Sequence, residues 1–546
     1  MTSDAAPAVR DRVDRLAKEV FGFEDLRPGQ RPAIESLLSG RDTLAVLPTG
    51  SGKSAIYQIA AMLVDGPCVI VSPLIALQRD QVAAIRELDV AGVAAANSHV
   101  GITARREAFE GLKNGKVKFL FVAPEQLATP EVVRDIAEAK PALFVVDEAH
   151  CVSAWGHDFR PDYLRLGGVI EALGHPLVLA LTATASPPVR DELVSRLGMR
   201  DAAVVVRGFD RPNIWLDVET FISEEAKREA LVLRAAGELK PGIVYAATRK
   251  RAEELTQLIS EIGLSAGCYH AGMKASERRQ VQDAFVDDRL DVVIATTAFG
   301  MGIDKPNVRF VLHYDVPDSL DSYYQEVGRA GRDGLRSEAV LYYRQEDLGL
   351  RRFFAANSVA VGPLTRVAQL LEAAAPNGAV ELAELRSVAK LSTSRLSAVL
   401  GQLTHAGFVR VDPTGSLEVL PDHPTVEEVL ESAQREAETR KTLDQSRVDM
   451  IRSYAESQAC RGRLLLSYFG EQTPDACGHC DRCTAGVEVA ISEGPFPVNT
   501  RVAHAEWGSG QILRYEEDKV VVLFDAVGYK TLSVPAVVER GLLQAG

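Results

Sequence analysis

Long apolar runs are missing from this chain of 546 residues. No stretch approaches the roughly 18 apolar residues that a membrane helix requires, so no membrane partner is expected. The start, MTSDAAPAVRDRVDRLAKEV, carries no apolar core of the kind a secretory signal has. An excess of positive charge is missing too. Lys and Arg number 61 against 75 Asp and Glu, a formal net charge of −14. Such a chain is not a polycation that coats nucleic acid, and any nucleic-acid site must be a local basic groove on an acidic body. Gly (42) and Pro (26) are ordinary in abundance, which excludes collagen-like and low-complexity character. Cysteine is scarce, with seven in all. The expected location is cytoplasmic, where thiols stay reduced, so a disulfide framework is not the reading. Cys68, Cys151 and Cys268 are scattered, whereas Cys460, Cys477, Cys480 and Cys483 are crowded together.

What is present is an ordinary globular balance, 46% hydrophobic and 25% charged, in a length that suggests roughly three to five domains. From about residue 42 to 345, short apolar runs alternate with amphipathic helical stretches. TLAVL, CVIVSP, FLFVAP, ALFVVD, LVLALTA, GIVYAA, VVIATT and FVLHYD read as buried strands. This alternation predicts an α/β fold with two parallel sheets flanked by helices, joined by a linker at 204–215. Residues 346–432 read instead as three helices and a hairpin turning at Pro413, Thr414 and Gly415, a winged-helix-like insertion. A long polar helix at about 433–459 leads into the cysteine cluster. The last segment alternates strand runs with turns, which predicts a small β-barrel. The expected domains are 1–205, 206–345, 346–432, 433–488 and 489–546.

Three motifs carry chemistry. Leu47-Pro48-Thr49-Gly50-Ser51-Gly52-Lys53-Ser54 follows a strand and opens a helix, the context of a phosphate loop. Leu47 stands where the strict string has its first Gly. Backbone N–H groups from Thr49 to Gly52 face the phosphates, Lys53 reaches the β and γ groups, and Ser54 ligates Mg²⁺. Asp147-Glu148-Ala149-His150 follows the strand ALFVV. Carboxylates at the C-terminal end of a buried parallel strand face the ligand crevice. Asp147 is the candidate for Mg²⁺ and Glu148 for polarising the attacking water. The third runs from Gln325 to Gly334. Gln325 is a candidate nucleotide contact, and Arg329 and Arg332, three apart, can share a helical face and stabilise charge on a transferred phosphoryl group.

With these motifs in order, the chain resembles the superfamily 2 helicases and, within them, the RecQ family. LTATA (181–185), ATTAFGMGIDKPNVRFVLHYDVP (295–317) and VGRAGRDG (327–334) carry the likeness, and CVSAWGHDFRPDY (151–163) is its most specific piece. The resemblance implies that this aromatic-rich loop couples DNA binding to ATP hydrolysis through Trp155, Phe159 and Arg160, with His157 among its DNA-contact candidates. Stacking of rings on bases and of Arg on phosphate agrees with that role. Leu26-Arg27-Pro28-Gly29-Gln30 resembles the family's adenine-recognition motif, which implies that Gln30 pairs with the adenine edge and Arg27 stacks on or bonds the base. Leu26 stands where the family usually has Phe.

The spacing C-x16-C-x2-C-x2-C suits a closed tetrahedral site of four thiolates, a structural Zn²⁺, with Cys460 expected at the end of the long helix and His479 as the one substitute ligand. The RecQ zinc-binding region has the same arrangement. The chain departs from the family in placing its winged-helix-like segment before the zinc module, and it is similar to the shorter actinobacterial type. That insertion is a duplex-DNA, protein-docking or structural element, since STSRLSAVLGQLTH carries few basic residues. The tail, VAHAEWGSGQIL followed by VVVLFDAVGYKTLSV, resembles the Tudor/SH3-like domain of UvrD/PcrA-type helicases. That likeness implies a docking module for RNA polymerase or another replication or repair protein; the alternative is a stabilising cap. Taken together, the resemblance implies an ATP-dependent, 3′-to-5′ DNA helicase acting on single-stranded and tailed duplex DNA in repair or recombination. The alternatives are a translocase that remodels protein–DNA complexes without unwinding, and a scaffold with a decayed motor.

Overall fold

Two parallel sheets dominate the computed structural model, which describes residues 5–545 apart from 74, 90, 98–99, 154–159, 301–304, 356–360, 378–379, 392, 412–415, 472–475, 487–493, 499 and 517. The first sheet contains β1 (Thr43–Val46), β2 (Cys68–Val71), β3 (Val93–Ala96), β4 (Phe119–Val122), β5 (Leu143–Val146), β6 (Leu177–Thr182) and β7 (Ala203–Val206), in the order β3-β4-β2-β5-β6-β1-β7. All its pairings are parallel. The second contains β8 (Ile214–Thr220), β9 (Gly242–Tyr245), β10 (Ala266–Tyr269), β11 (Val292–Ala295), β12 (Phe310–His313) and β13 (Ser337–Tyr343), in the order β10-β11-β9-β12-β13-β8, again all parallel.

Alternation along the strands explains the burial. Leu44 and Val46 point to one apolar cluster while Ala45 and Leu47 point to another, so the sheet is covered on both faces. In the second sheet Val244, Ile294 and Leu312 join one cluster, and Ile243, Val293 and Val311 join the one shared with the first sheet. β7 extends to Val206 and β8 opens at Ile214, so the connecting segment is 207–213, shorter at both ends than the expected linker.

The inserted segment folds around its own apolar cluster. Helices Val361–Ala374, Leu382–Ala389 and Thr393–His405 pack with an antiparallel sheet of β14 (Val380–Glu381), β15 (Val409–Val411) and β16 (Ser416–Val419). The third strand, β14, was not expected, and the turn at Pro413, Thr414 and Gly415 lies outside the described residues. The long helix runs Val426–Glu456, starting earlier than expected because Thr425 and Glu428 form a reciprocal capping box. No described helix is long and apolar enough to cross a membrane.

The tail forms an antiparallel sheet of β17 (Arg501–His504), β18 (Gly508–Glu516), β19 (Lys519–Phe524), β20 (Gly528–Ser533) and β21 (Gln544–Ala545), in the order β20-β19-β18-β17-β21. This small antiparallel sheet stands where the small β-barrel was expected, with its ladder open between β20 and β21 among the described residues. Both faces are engaged. Val502, Ile512, Val520 and Phe524 build its own cluster, whereas Leu513, Val521, Leu523 and Tyr529 join the large cluster that includes Val448, Tyr468 and Phe469.

Candidate active site and metal centre

β1 and β5 end on the same edge of the first sheet, separated by β6. The loop after β1 winds through Gly50 (φ +79) and Gly52 (φ +72), left-handed conformations that favour glycine. It feeds the helix Ser54–Leu63. Lys53 is half-buried beside it and donates from Nζ to the carbonyls of Leu47 (3.2 Å) and Pro48 (3.4 Å). Burial pulls the Lys53 pKa down, while the nearby Glu148 and Asp147 oppose that shift.

Asp147 follows β5 directly. One carboxylate oxygen accepts from the Glu148 N–H at 3.0 Å and the other from the Ser72 hydroxyl at 3.4 Å. Burial, then the neighbouring Glu148, push the Asp147 carboxyl up to about 7. Glu148 holds a left-handed backbone (φ +48), a strained state for a non-glycine residue that persists where surrounding structure enforces it. Its Oε2 lies 3.3 Å from His150 Nδ1, which also meets Thr182 Oγ1 at 3.0 Å. Two crowded, desolvated carboxylates beside a phosphate-type loop fit a divalent cation, because a positive charge there relieves the repulsion between them.

Gln30 is 4% exposed, and its amide is committed to the loop. Nε2 donates to the carbonyls of Ser51 and Gly52, both at 2.9 Å, and Oε1 accepts from the Arg27 N–H at 2.8 Å. The Arg27 guanidinium donates to the Gly50 carbonyl. The adenine-motif candidates therefore contact the phosphate loop itself.

The second sheet reaches the same loop. The helix Leu320–Val327 ends at Val327, and Gly328 to Gly331 continue as turns, so Arg329 and Arg332 do not share a helical face. Gly331 has φ +53, which no helix interior adopts. Arg332 packs on the loop: a Cβ added at Gly50 would lie 3.2 Å from its Cγ. Arg329 turns the other way. It is 4% exposed, lies near Gly300 and Tyr245, and lines a cavity of about 940 Å³ between the sheets. Gln325 lines the same cavity. Arg79, Arg86, Arg160, Arg278 and Arg279 add positive charge to that lining, against Asp283, Asp318 and Glu326. Arg160 donates from Nη1 to the Pro73 carbonyl at 3.2 Å. Trp155, His157 and Phe159 lie outside the described residues. Sequence reading passed over Arg211, whose Nη1 donates to the Thr49 carbonyl at 3.4 Å; its position in the connecting segment was the available signal.

The four clustered cysteines converge, with all sulfurs within 4.8 Å of one another. Cys483 Sγ lies 3.4 Å from Cys480, 3.6 Å from Cys460 and 3.9 Å from Cys477. A tetrahedron with Zn–S bonds of about 2.3 Å has edges near ~3.8 Å, so the sulfurs fit zinc. Cys460 caps the helix Arg461–Tyr468 instead of ending the long helix, which stops at Glu456. Gly462 permits the close approach, since a Cβ there would lie 2.5 Å from Cys477 Cβ. His479 is not placed as a substitute ligand: Nδ1 meets the Cys477 carbonyl at 2.6 Å and Nε2 faces Asp210 at 3.5 Å. The loop is pinned to the second sheet by the Leu216 N–H, which donates to the His479 carbonyl at 3.0 Å.

Comparison with known proteins agrees with this arrangement. Residues 27–192 match a DEAD/DEAH box helicase domain, 227–334 a helicase conserved C-terminal domain, and 420–484 a RecQ zinc-binding domain. The probable ATP-dependent DNA helicase RecS of Bacillus subtilis is 35% identical over 477 residues, covering 86% of this chain and 92% of that protein. The chain belongs to the RecQ family. The ATP-dependent DNA helicase RecQ of Pasteurella multocida is 36% identical over 467 residues, 85% of this chain, and the match spans 61% of its length. Among solved structures, Mycobacterium smegmatis helicase Lhr bound to ssDNA and AMP-PNP aligns with a TM-score of 0.51 at 25% identity, covering 78% of this chain and 61% of that one. The RecQ zinc-binding match spans the cysteine cluster, and Cys460 and Cys480 join the apolar core that both sheets share.

Proposed function

We propose that this RecQ-family protein is an ATP-dependent DNA helicase. It hydrolyses ATP at the seam of its two sheets and moves 3′-to-5′ along single-stranded DNA, separating tailed duplexes. One observation carries this reading: Lys53, Asp147 and Glu148 lie at the loop on which Arg332 packs from the second sheet, while Arg160 and Arg329 line the adjoining cavity. A nucleotide at the loop thus sits where the two sheets meet, and a strand in the cleft sits where they part. RecS and RecQ are named as ATP-dependent DNA helicases, and the Lhr structure holds ssDNA.

In this reading Lys53 leaves the Leu47 and Pro48 carbonyls for the β and γ phosphates. Ser54 and Asp147 hold Mg²⁺, which when bound neutralises phosphate charge. Glu148 orients the attacking water, and Arg332 stabilises charge developing on the γ-phosphoryl group. Loss of that group weakens the hold of Arg332 and lets the lobes part, which is how hydrolysis becomes movement. Arg160, with Trp155 and Phe159, couples the cleft to the loop. Zinc on Cys460, Cys477, Cys480 and Cys483 is structural, as four protein ligands leave no open position. The tail acts as a cap, because one face of its sheet covers Val448 and Tyr468. We assign the pathway, repair or recombination, by kinship alone.

ATP hydrolysis measured with and without oligothymidylate tests the motor. Strong stimulation without strand separation of a forked duplex would favour a translocase that remodels protein–DNA complexes. No hydrolysis in either condition would favour a scaffold.

A further inference from the structure

Arg211 lies in the segment 207–213, which belongs to neither sheet. Its guanidinium spans the seam. Nη1 donates to the Thr49 carbonyl of the phosphate loop at 3.4 Å, and Nη2 to the carbonyls of Ala330 (3.1 Å) and Gly331 (3.3 Å) in the arginine turn. A single planar fork therefore joins the two loops whose approach brings Arg332 onto Gly50. Only a guanidinium offers separate nitrogens at the required divergence, whereas an ammonium is a point donor.

The surroundings fix both ends of this bridge. Asn213 donates from Nδ2 to the carbonyls of Gly331 (2.8 Å) and Leu335 (3.0 Å), bracing the turn from its other side. A Cβ at Gly331 would lie 2.4 Å from that nitrogen, so the turn and Asn213 fit without slack. The segment itself is held by residues at the C-terminal end of the zinc-module helix Arg461–Tyr468. Phe209 stacks on Phe469 with centroids 4.6 Å apart and planes 3° from parallel, and the Gly208 N–H donates to Glu471 Oε1 at 3.2 Å. The Tyr324 hydroxyl donates to the Phe209 carbonyl at 2.7 Å. Arg211 thus extends from a fixed base, and its longest bond is the one that crosses to the first sheet.

We propose that Arg211 is a positioning residue for ATP hydrolysis: bridging the Thr49 carbonyl to those of Ala330 and Gly331, it sets Arg332 against the phosphate loop when the lobes close. This rests on the catalytic reading above and adds to it a residue that touches no phosphate and acts through Arg332. Opening the lobes breaks the Thr49 bond and leaves the arginine turn held by the linker.

The test uses the full chain with ATP and oligothymidylate, comparing Arg211→Lys, Arg211→Ala, Arg332→Ala and the double variant Arg211→Ala/Arg332→Ala. In both Arg211 variants kcat falls by about tenfold or more, the range of a typical coupling, while KM for ATP stays within about twofold. Adding Arg211→Ala to Arg332→Ala costs no further activity, because the two act as one unit. The melting temperature of Arg211→Lys stays at the wild-type value. Wild-type kcat in Arg211→Lys overturns the proposal, as do losses that multiply in the double variant. Raised KM with intact kcat, or variants that melt early and no longer bind nucleotide, also overturn it. Absence of DNA-stimulated hydrolysis in the unsubstituted chain would instead remove the catalytic reading on which the proposal stands.

Discussion

Lys53 illustrates how one side chain concentrates the account. It is half-buried with two carboxylates nearby, and its hydrogen-bond partners among the described residues are backbone carbonyls that a phosphate can replace. Lys53→Ala should lower DNA-stimulated ATP hydrolysis by about 10²–10³-fold, the cost of removing a preorganised charge from a phosphoryl-transfer site. Steady-state ATPase assays check this, and a variant near the wild-type rate would remove the assigned site. Glu148→Gln separates binding from turnover. It keeps the size of the side chain and loses the base, so kcat should fall about 10²–10⁴-fold with little change in nucleotide affinity. Equal losses of affinity and kcat would place Glu148 in binding instead. The Lys53 and Asp147-Glu148 motifs were legible because each sits on a strand-to-loop boundary that the apolar runs mark. The committed amide of Gln30 and the divergence of Arg329 from Arg332 were not legible. Both depend on where glycine turns send the chain, and a spacing of three residues says nothing once the helix has ended at Val327.

Among the elements, most internal strands were plain in the sequence, but β13 (SEAVLYY), β3 (VAAA) and β10 (AGCY) were not singled out. β3 and β10 are edge strands with few large apolar residues, so burial leaves little pattern to read. The long helix was found but started late, because capping by Thr425 and Glu428 outranks polarity as a start signal. The cysteine cluster shows the opposite case, where spacing alone predicted convergence that the sulfur distances match. Its zinc should hold together the helix Arg461–Tyr468 and the loop that meets β8. Prolonged chelation, or Cys477→Ser, should lower the melting temperature by several degrees and release about one zinc per chain. Metal analysis with a thermal melt checks both. Unchanged melting after complete zinc loss would show that the site does not hold this element.

At the scale of the molecule, the tail is an integral part of the body. Leu513, Val521, Leu523 and Tyr529 share a core with Val448, Tyr468 and Phe469, and the rings of Tyr468 and Tyr529 stack 5.4 Å apart. Each large apolar side chain uncovered by truncation after about residue 490 forfeits roughly 1.5–3 kcal/mol. The truncated chain should therefore melt earlier and associate on size-exclusion chromatography, whereas a monomer with wild-type melting would restore the docking-module reading. The same core spans the zinc helices and both sheets, so tail, cysteine site and paired sheets form one packed unit.

The most direct test of that unit as a motor is strand separation of duplexes carrying a single-stranded tail at either the 3′ or the 5′ end, with ATP and Mg²⁺. The account predicts ATP-dependent unwinding of the 3′-tailed substrate, none of the 5′-tailed one, and loss of all unwinding in Lys53→Ala. Unwinding that favours the 5′ tail, or that survives in Lys53→Ala, would contradict it.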